Sequence, residues 1–290
     1  MADLYDCAVV GGGPAGLTAA VYLARFCRRA IVFSDGESRA RWIPRTRNVP
    51  GYPHGIEGPE LLERLHEHAG RYPVEIAKTR IAGLTGSRGG FVLSDGARTW
   101  MAQFVILAAG VHDIVPDDLG VLWSHVSTGG VRLCPVCDAY ELRGKRIGLL
   151  ARPERARSEA SFLRRYSDSL LLFTHGLDPN AYKDIAADSV FASRIAAIDQ
   201  GAQVQVALAD GQSAVVDALY VGYGVEAHSA LAAALGAECD AAGYLRVDQR
   251  QQTSVPGLYA AGDVAQSLSQ ISVAFGQAAI AASAINLELR

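Results

Sequence analysis

Two cysteines and an aspartate stand close together near the middle of the chain: Cys134, Cys137 and Asp138, with only Pro-Val between the cysteines. Cysteines at this spacing can close a disulfide across a tight turn, and a thiolate can reopen it by exchange. Asp138 adds a carboxyl group that could give or take the proton that thiol chemistry requires. The spacing is also half of a zinc site, but the other three cysteines are isolated in the sequence. We therefore predict redox chemistry and no metal.

Length, composition and charge narrow the class of protein. The 290 residues are 50% hydrophobic and 20% charged, which is typical of a globular chain with one large domain or two modest ones. A formal net charge of -3 offers no basic excess to nucleic acid or an anionic membrane. No apolar run reaches the roughly 18 residues that a membrane span requires. We predict a cytoplasmic enzyme, without a nucleic-acid or membrane partner, whose cysteine pair is catalytic.

The N-terminal residues show a strand, a glycine-rich turn, a helix and a second strand, at 6–10, 17–26 and 30–33. The turn contains the nucleotide-binding candidates Gly11, Gly13, Pro14, Ala15 and Gly16. In such a turn the first glycine permits the tight bend, the second lets a pyrophosphate approach, and the third lets helix and strand pack. Asp35 closes the second strand and would accept a hydrogen bond from a ribose hydroxyl. This pattern predicts a dinucleotide site at the start of the helix.

Two later segments point to the same ligand. An apolar strand over 104–110 ends in small residues. Another strand over 257–263 ends in Gly-Asp and leads into an alanine-rich helix over 270–287. The candidate ligand-binding residues here are Ala109, Gly110, Gly262, Asp263, Gln270 and Ile271. Strand ends of small residues allow close backbone approach, and the start of the helix would stabilise negative charge on a ring.

The middle of the chain repeats this order of elements. Its predicted elements are strands at 145–150, 170–174, 190–195, 203–208 and 219–222, and a helix at 155–166. We predict an α/β protein with two Rossmann-like nucleotide-binding domains, the second inserted into the first. The predicted boundaries are 1–116 with 244–290 for the first domain and 117–243 for the second.

With these motifs in order, the chain resembles the low-molecular-weight thioredoxin reductase family of flavoproteins over essentially its whole length. Its matching segments are the turn 11–16, the run 48–53, the strand end 108–110, the Cys134–Asp138 motif and the run 261–263. The resemblance implies FAD, a homodimer and a redox-active disulfide that exchanges electrons with the flavin. It adds Asn48 to the candidate FAD residues. It also implies that Cys137 faces the flavin and that Cys134 exchanges with a thioredoxin-like protein or a small disulfide or dithiol.

The second domain departs from the family, whose members bind NADPH there through a second glycine fingerprint. Here the run after the first strand is Ala151-Arg152-Pro153-Glu154-Arg155-Ala156, which has no glycine. Side chains would hinder the pyrophosphate, and Pro153 removes an N–H donor. His175 stands where the family places a basic patch for the 2′-phosphate. We therefore expect a donor other than conventionally bound NADPH: a ferredoxin or flavodoxin, or a second flavin.

Two alternatives remain at this stage. The first is an FAD-dependent dithiol oxidase that passes electrons to oxygen, and the second is a flavin-binding redox sensor. Relatives that oxidise dithiols usually have His where this chain has Asp138, and a sensor has no use for a proton-transfer residue. Asp138 therefore favours the disulfide reductase.

Overall fold

The computed structural model describes residues 4–265 and 268–289. The strands are β1 Leu4–Val10, β2 Ala30–Phe33, β3 Glu75–Ala77, β4 Gly83–Thr85, β5 Phe91–Ser94, β6 Thr99–Leu107, β7 Val111–Asp113, β8 Val131–Arg132, β9 Arg146–Ala151, β10 Ser169–Phe173, β11 Ser189–Phe191, β12 Ile195–Gln200, β13 Val204–Leu208, β14 Ser213–Val216, β15 Ala218–Gly222, β16 Val225–Ala227 and β17 Leu258–Ala260. The helices are α1 Pro14–Arg25, α2 Gly58–Gly70, α3 Leu122–Val126, α4 Pro135–Asp138, α5 Pro153–Leu163, α6 Ala230–Ala233 and α7 Ile271–Glu288.

The chain divides into two compact units. The first consists of Met1–Arg41, Gly58–His112 and Glu226–Arg290, and the second of Trp42–Glu57 and Asp113–Val225. These boundaries differ from the expected ones at 117 and 243. Residues 226–243 belong with the first unit because Ala232 and Ala237 are buried in its core. The segment 42–57 groups with the second unit, where Trp42 packs against Trp123 with ring centres 5.6 Å apart.

The first unit is built on a sheet in the order β3-β2-β1-β6-β5-β4, with β17 paired to β6. Strands β3, β2, β1, β6 and β17 run parallel, whereas β5 and β4 continue the sheet antiparallel. On one face α1 and α7 pack through alanines, among them Ala19, Ala20, Ala278 and Ala281. Small side chains let the two helices approach closely, so their first turns can lie beside the same sheet edge.

Helix α7 is the one helix in the described part of the chain that is long and apolar enough to cross a membrane, by length and composition. Its residues Ala274, Ala278, Ala281 and Ile285 are buried in the core of the first unit together with the strands. One face of α7 therefore forms part of the protein core.

The second unit contains a five-stranded parallel sheet in the order β11-β10-β9-β15-β8 and an antiparallel sheet of β12, β13 and β14. Its α5 begins at Pro153, where proline's missing N–H costs no intrahelical bond. Ala156, Ala160 and Leu163 of α5 are buried against β9 and β10. The single strand expected at 190–195 is wrong, because β11 ends at Phe191 and β12 begins at Ile195. The predicted α/β class with two Rossmann-like units is confirmed.

Candidate active site

The glycine turn after β1 has no room for side chains at two of its positions. Gly11 has a φ of +120°, and a Cβ there would lie 2.2 Å from the carbonyl oxygen of Ala108. A Cβ on Gly16 would lie 1.8 Å from the carbonyl oxygen of Gly11. Real Cβ atoms do not approach backbone oxygens this closely, so packing requires glycine at both positions. The turn is thereby held against the end of β6 and the start of α1.

The ends of four parallel strands bring the predicted nucleotide-binding residues to one edge of the first sheet. After β1, β2, β6 and β17 come, respectively, Gly11–Gly16, Asp35, Ala109-Gly110 and Gly262-Asp263. Contacts show this convergence directly. A Cβ on Gly262 would lie 3.0 Å from the Cβ of Ala15, and the Asp263 carboxylate lies 3.8 Å from the Arg39 guanidinium. This edge is where open α/β sheets bind nucleotides.

Two helices begin beside this edge with features suited to an anionic cofactor. Helix α1 starts at Pro14, and the preceding Gly13 has no side chain to cap it. Helix α7 starts at Ile271 after Gln270, whose side chain does not cap it. The N–H groups of a first turn lack intrahelical acceptors and carry the positive end of the helix dipole. With the glycine cradle, these helix starts fit the pyrophosphate and ring system of FAD.

Other candidates have local roles that the sequence did not show. The Oδ1 of Asp35 accepts a hydrogen bond from the backbone N–H of Glu37 at 3.0 Å, and its carboxylate lies 3.8 Å from the Arg80 guanidinium. Asn48 lies in the segment Trp42–Glu57 of the second unit and accepts a hydrogen bond from the Thr46 hydroxyl at 2.8 Å. The structure thus assigns Asp35 to the nucleotide edge of the first unit and Asn48 to the other unit.

The predicted redox pair of the second unit is a disulfide between Cys134 and Cys137. Helix α4 is a single turn that starts at Pro135, directly after Cys134, and the N–H of Cys137 donates to the carbonyl of Cys134 at 3.0 Å. One helical turn places residues three apart on the same side, so the two sulfurs meet. Both cysteines are half-buried. A short helical turn is thus the element that positions the redox chemistry.

Asp138 is held by two residues of the second unit. The Tyr220 hydroxyl donates a hydrogen bond to its Oδ1 at 2.6 Å, and Arg132 Nη1 lies 3.1 Å from its Oδ2. Burial raises the pKa of the Asp138 carboxyl, whereas the charge of Arg132 and the Tyr220 hydrogen bond act in the opposite direction. Burial and the nearby Asp138 charge also raise the pKa of Tyr220, so its hydroxyl remains a donor.

Sequence reasoning missed Arg132 and Tyr220 as residues of the site. They come together because β8 and β15 are parallel neighbours in which Tyr220 is paired with Arg132. That register is not readable from the sequence. A signal did exist, since Arg132 is a charged residue two positions before the first cysteine and Tyr220 interrupts an apolar strand.

In the second unit, the loop after β9 has polar and aromatic neighbours where a nicotinamide nucleotide would bind. The Tyr182 hydroxyl donates to the carbonyl of Ala151 at 2.7 Å, and Arg152 lies 5.3 Å from the ring centre of Tyr223. The Oε2 of Glu159 is buried without a hydrogen-bond partner, 2.1 Å from where a Cβ on Gly222 would lie. A buried carboxylate beside a loop without a fingerprint glycine does not fit a pyrophosphate.

His175, at the position of the family's phosphate-binding patch, is occupied by contacts within the unit. Its Nδ1 accepts the N–H of Ile195 at 3.0 Å, so Nε2 carries the hydrogen and donates to Asp118 Oδ1 at 3.0 Å. Arg194 pairs with the other oxygen of Asp118. The hydrogen bond from His175 lowers the pKa of Asp118. Both ring nitrogens of His175 are therefore already used.

Comparisons with known proteins agree with this arrangement. A sequence model of the pyridine nucleotide-disulphide oxidoreductase family matches residues 187–278. The chain is 30% identical to a thioredoxin reductase of Mycolicibacterium smegmatis over 280 residues, 90% of this chain and 88% of the relative. It is 28% identical to a thioredoxin reductase of Listeria innocua serovar 6a over 297 residues, 96% and 92% of the two chains. The crystal structure of thioredoxin reductase from Streptococcus pyogenes superimposes with a TM-score of 0.88 at 24% identity and covers 100% of both chains, which supports the fold.

The nucleotide cradle of the first unit, the disulfide of the second unit and the relatives thus lead to one assignment. A cradle of glycines and helix starts fits FAD, and the disulfide with its adjacent carboxyl group provides the second redox centre. The chain belongs to the thioredoxin reductase family and is an FAD-dependent disulfide oxidoreductase.

Proposed function

We propose that this enzyme passes electrons from FAD through the Cys134–Cys137 disulfide to a thioredoxin-like protein or a small disulfide, and that its donor is not NADPH bound in the conventional way. The observation that carries the donor proposal is the loop after β9. It has no fingerprint glycine, and it lies beside the buried Glu159 carboxylate.

FAD would be held by residues of both the glycine turn and the later strand ends. The residues proposed to hold it are Gly11, Gly13, Pro14, Ala15, Gly16, Asp35, Asn48, Ala109, Gly110, Gly262, Asp263, Gln270 and Ile271. When bound, FAD supplies two-electron chemistry to the disulfide. The turn would bind the pyrophosphate, and Asp35 would accept a hydrogen bond from a ribose hydroxyl.

The protein's own contribution to the reaction lies in three residues. Cys134 and Cys137 hold the electron pair as a dithiol and pass it on by thiol–disulfide exchange. Asp138 holds the proton that a departing thiolate takes up. We propose that Cys134 attacks the substrate disulfide and that Cys137, next to Asp138, faces the flavin.

A donor protein such as a ferredoxin or flavodoxin, or a second flavin, would replace NADPH. This proposal is supported by the absence of fingerprint glycines in the loop after β9. It is also supported by His175, whose two ring nitrogens make hydrogen bonds within the unit. The oxidase and sensor alternatives are not favoured, because the matched relatives are thioredoxin reductases.

A thioredoxin-like partner is supported by the names of those relatives and by the surface around the disulfide. Val136, between the cysteines, is 53% exposed, and Tyr140 is 60% exposed. Exposed apolar side chains beside a redox centre offer contacts to a protein partner. We also propose a cytoplasmic homodimer. Ile280 and Leu287, exposed along α7, provide apolar surface for self-association.

Anaerobic titration of the purified flavoprotein tests the donor. NADPH, NADH and chemically reduced ferredoxin are added separately while the visible flavin absorbance is followed. We expect bleaching by ferredoxin and no stoichiometric bleaching by NADPH or NADH. Dithionite serves as the control that the flavin is reducible. Bleaching by one equivalent of NADPH would overturn the donor proposal, and a flavin content near two per chain would favour the second flavin over ferredoxin.

A further inference from the structure

The two carboxylate oxygens of Asp138 are held by residues from two different strands. Tyr220 on β15 donates to Oδ1 at 2.6 Å, and Arg132 on β8 lies 3.1 Å from Oδ2. We propose that Arg132 and Tyr220 are positioning residues that fix the orientation of Asp138 and set the pH at which it exchanges a proton with the neighbouring thiols. The inference deepens the proposed function and depends on it for the role of Asp138.

The geometry restricts the Asp138 side chain strongly. Arg132 Nη1 also donates to the backbone carbonyl of Asp138 at 3.1 Å, and Arg132 Nε donates to the carbonyl of Gly129 at 3.3 Å. These two hydrogen bonds to backbone carbonyls hold the Arg132 guanidinium in place beside the Asp138 carboxylate. Because Arg132 and Tyr220 are register partners in adjacent parallel strands, the sheet itself sets the distance between the two donors. The Asp138 carboxylate therefore lies between two donors whose spacing the sheet sets.

The groups around Asp138 determine which of its two protonation states is favoured. The groups that act on it are Arg132 from β8, Tyr220 from β15 and Glu141 from the turn Ala139–Leu142. Burial and the Glu141 charge favour the protonated acid, whereas Arg132 and Tyr220 favour the carboxylate. Tyr220 stabilises the carboxylate as a hydrogen-bond donor, since burial raises its own pKa and keeps it protonated. Removal of either partner should shift Asp138 toward the acid.

The chemical step balances with a single proton at Asp138. When two electrons enter the disulfide, the bond between the sulfurs of Cys134 and Cys137 breaks and two thiolates form. One thiolate takes the proton from the Asp138 acid and becomes a thiol. The resulting carboxylate is stabilised by Tyr220 and Arg132, and the other thiolate remains the nucleophile. The proton returns to Asp138 when the disulfide closes again.

Infrared difference spectroscopy on the holoenzyme measures this proton directly. Spectra of the dithiothreitol-reduced protein minus the oxidised protein are recorded across a pH series. The carboxylic-acid band of Asp138 is assigned by its loss in Asp138→Asn. We expect the band to persist to higher pH in Tyr220→Phe than in the wild type. In Arg132→Met, which loses an opposite charge, the band should persist to a pH about 1–3 units higher than in the wild type. Arg132→Lys should recover part of the shift.

Tyr223→Phe is the matched control, because Tyr223 follows the same strand and its contact is with Arg152. An unchanged Asp138 titration in both Arg132→Met and Tyr220→Phe would overturn the inference, as would an equal shift in Tyr223→Phe. If Arg132→Met does not fold, judged by circular dichroism, Tyr220→Phe decides alone. A shifted titration in a protein whose flavin does not respond to dithiothreitol reduction would support this inference while refuting the proposed electron path.

Discussion

The backbone N–H of Gly262 donates a buried hydrogen bond of 2.8 Å to the side-chain oxygen of Gln277. Gly262 has a φ of +80° and lies two residues after β17, whereas Gln277 lies in the second turn of α7. The bond fixes the strand end to the helix that follows it. It also explains a glutamine on the buried face of an alanine-rich helix.

We predict that Gln277→Leu destabilises the protein and weakens its hold on FAD. Leucine leaves the Gly262 N–H buried without an acceptor, which should lower the free energy of unfolding by about 1–3 kcal/mol. Urea denaturation and flavin retention on gel filtration measure both effects. Gln277→Glu keeps the acceptor and serves as the control, and equal loss in both variants would contradict the role of this hydrogen bond.

Replacement of Gly16 by alanine should release the flavin. The new Cβ would lie 1.8 Å from the carbonyl oxygen of Gly11, so the start of α1 must move away from the turn. Overpacking of this kind costs about 1–3 kcal/mol, and this cost, taken from FAD binding, raises the Kd about 5- to 150-fold. Fluorescence titration of the apoprotein with FAD measures the change. Gly70→Ala is the control, because a Cβ on Gly70 meets no atom within 4 Å, and wild-type affinity in Gly16→Ala would refute the cradle.

Serine at either active-site cysteine should abolish disulfide reduction while FAD remains bound. Without both sulfurs, the electron pair cannot be stored as a dithiol. Reduction of a small disulfide reagent by the dithionite-reduced enzyme should fall to background in Cys134→Ser and Cys137→Ser, with unchanged flavin absorbance. Cys27→Ser, which replaces an exposed free thiol, should match the wild type. Retained turnover in Cys137→Ser would refute the scheme.

Glu159→Gln should be more stable to unfolding than the wild type at neutral pH. In acid the two proteins should be about equally stable. Burial raises the pKa of Glu159, with Arg155 opposing the shift. The folded state therefore binds the proton more tightly than the unfolded chain. The resulting stability is fully present below the ordinary pKa of 4.5 and is lost as pH rises through the folded value.

Since glutamine cannot ionise, the free energy of unfolding of Glu159→Gln should exceed that of the wild type by about 1 kcal/mol at neutral pH. Urea denaturation at pH 7 and at about pH 4 compares the two forms. The exposed Glu154→Gln on the same helix is the control and should show no such pH-dependent gain. A constant difference between Glu159→Gln and wild type at both pH values would contradict the burial of an ionised carboxylate.

The features that could be predicted from the sequence are those that depend on neighbouring residues in the chain. The Gly11–Gly16 turn after an apolar strand predicts a nucleotide edge because turn geometry depends on a few neighbouring residues. The Cys134–Cys137 disulfide follows from two thiols one helical turn apart. The absence of glycines after β9 is also a local feature, and it predicts that NADPH does not bind there in the conventional way.

The distant residues that complete the sites are brought together by strand pairing and core packing. Arg132 and Tyr220 are 88 positions apart in sequence, and only the pairing of β8 with β15 makes them neighbours of Asp138. Gln277 meets Gly262 only because α7 returns across the sheet. The domain boundaries also depended on packing, since residues 226–243 contain a short helix whose Ala232 is buried with the first unit. Contacts of this kind depend on strand register and core packing, which are properties of the whole chain.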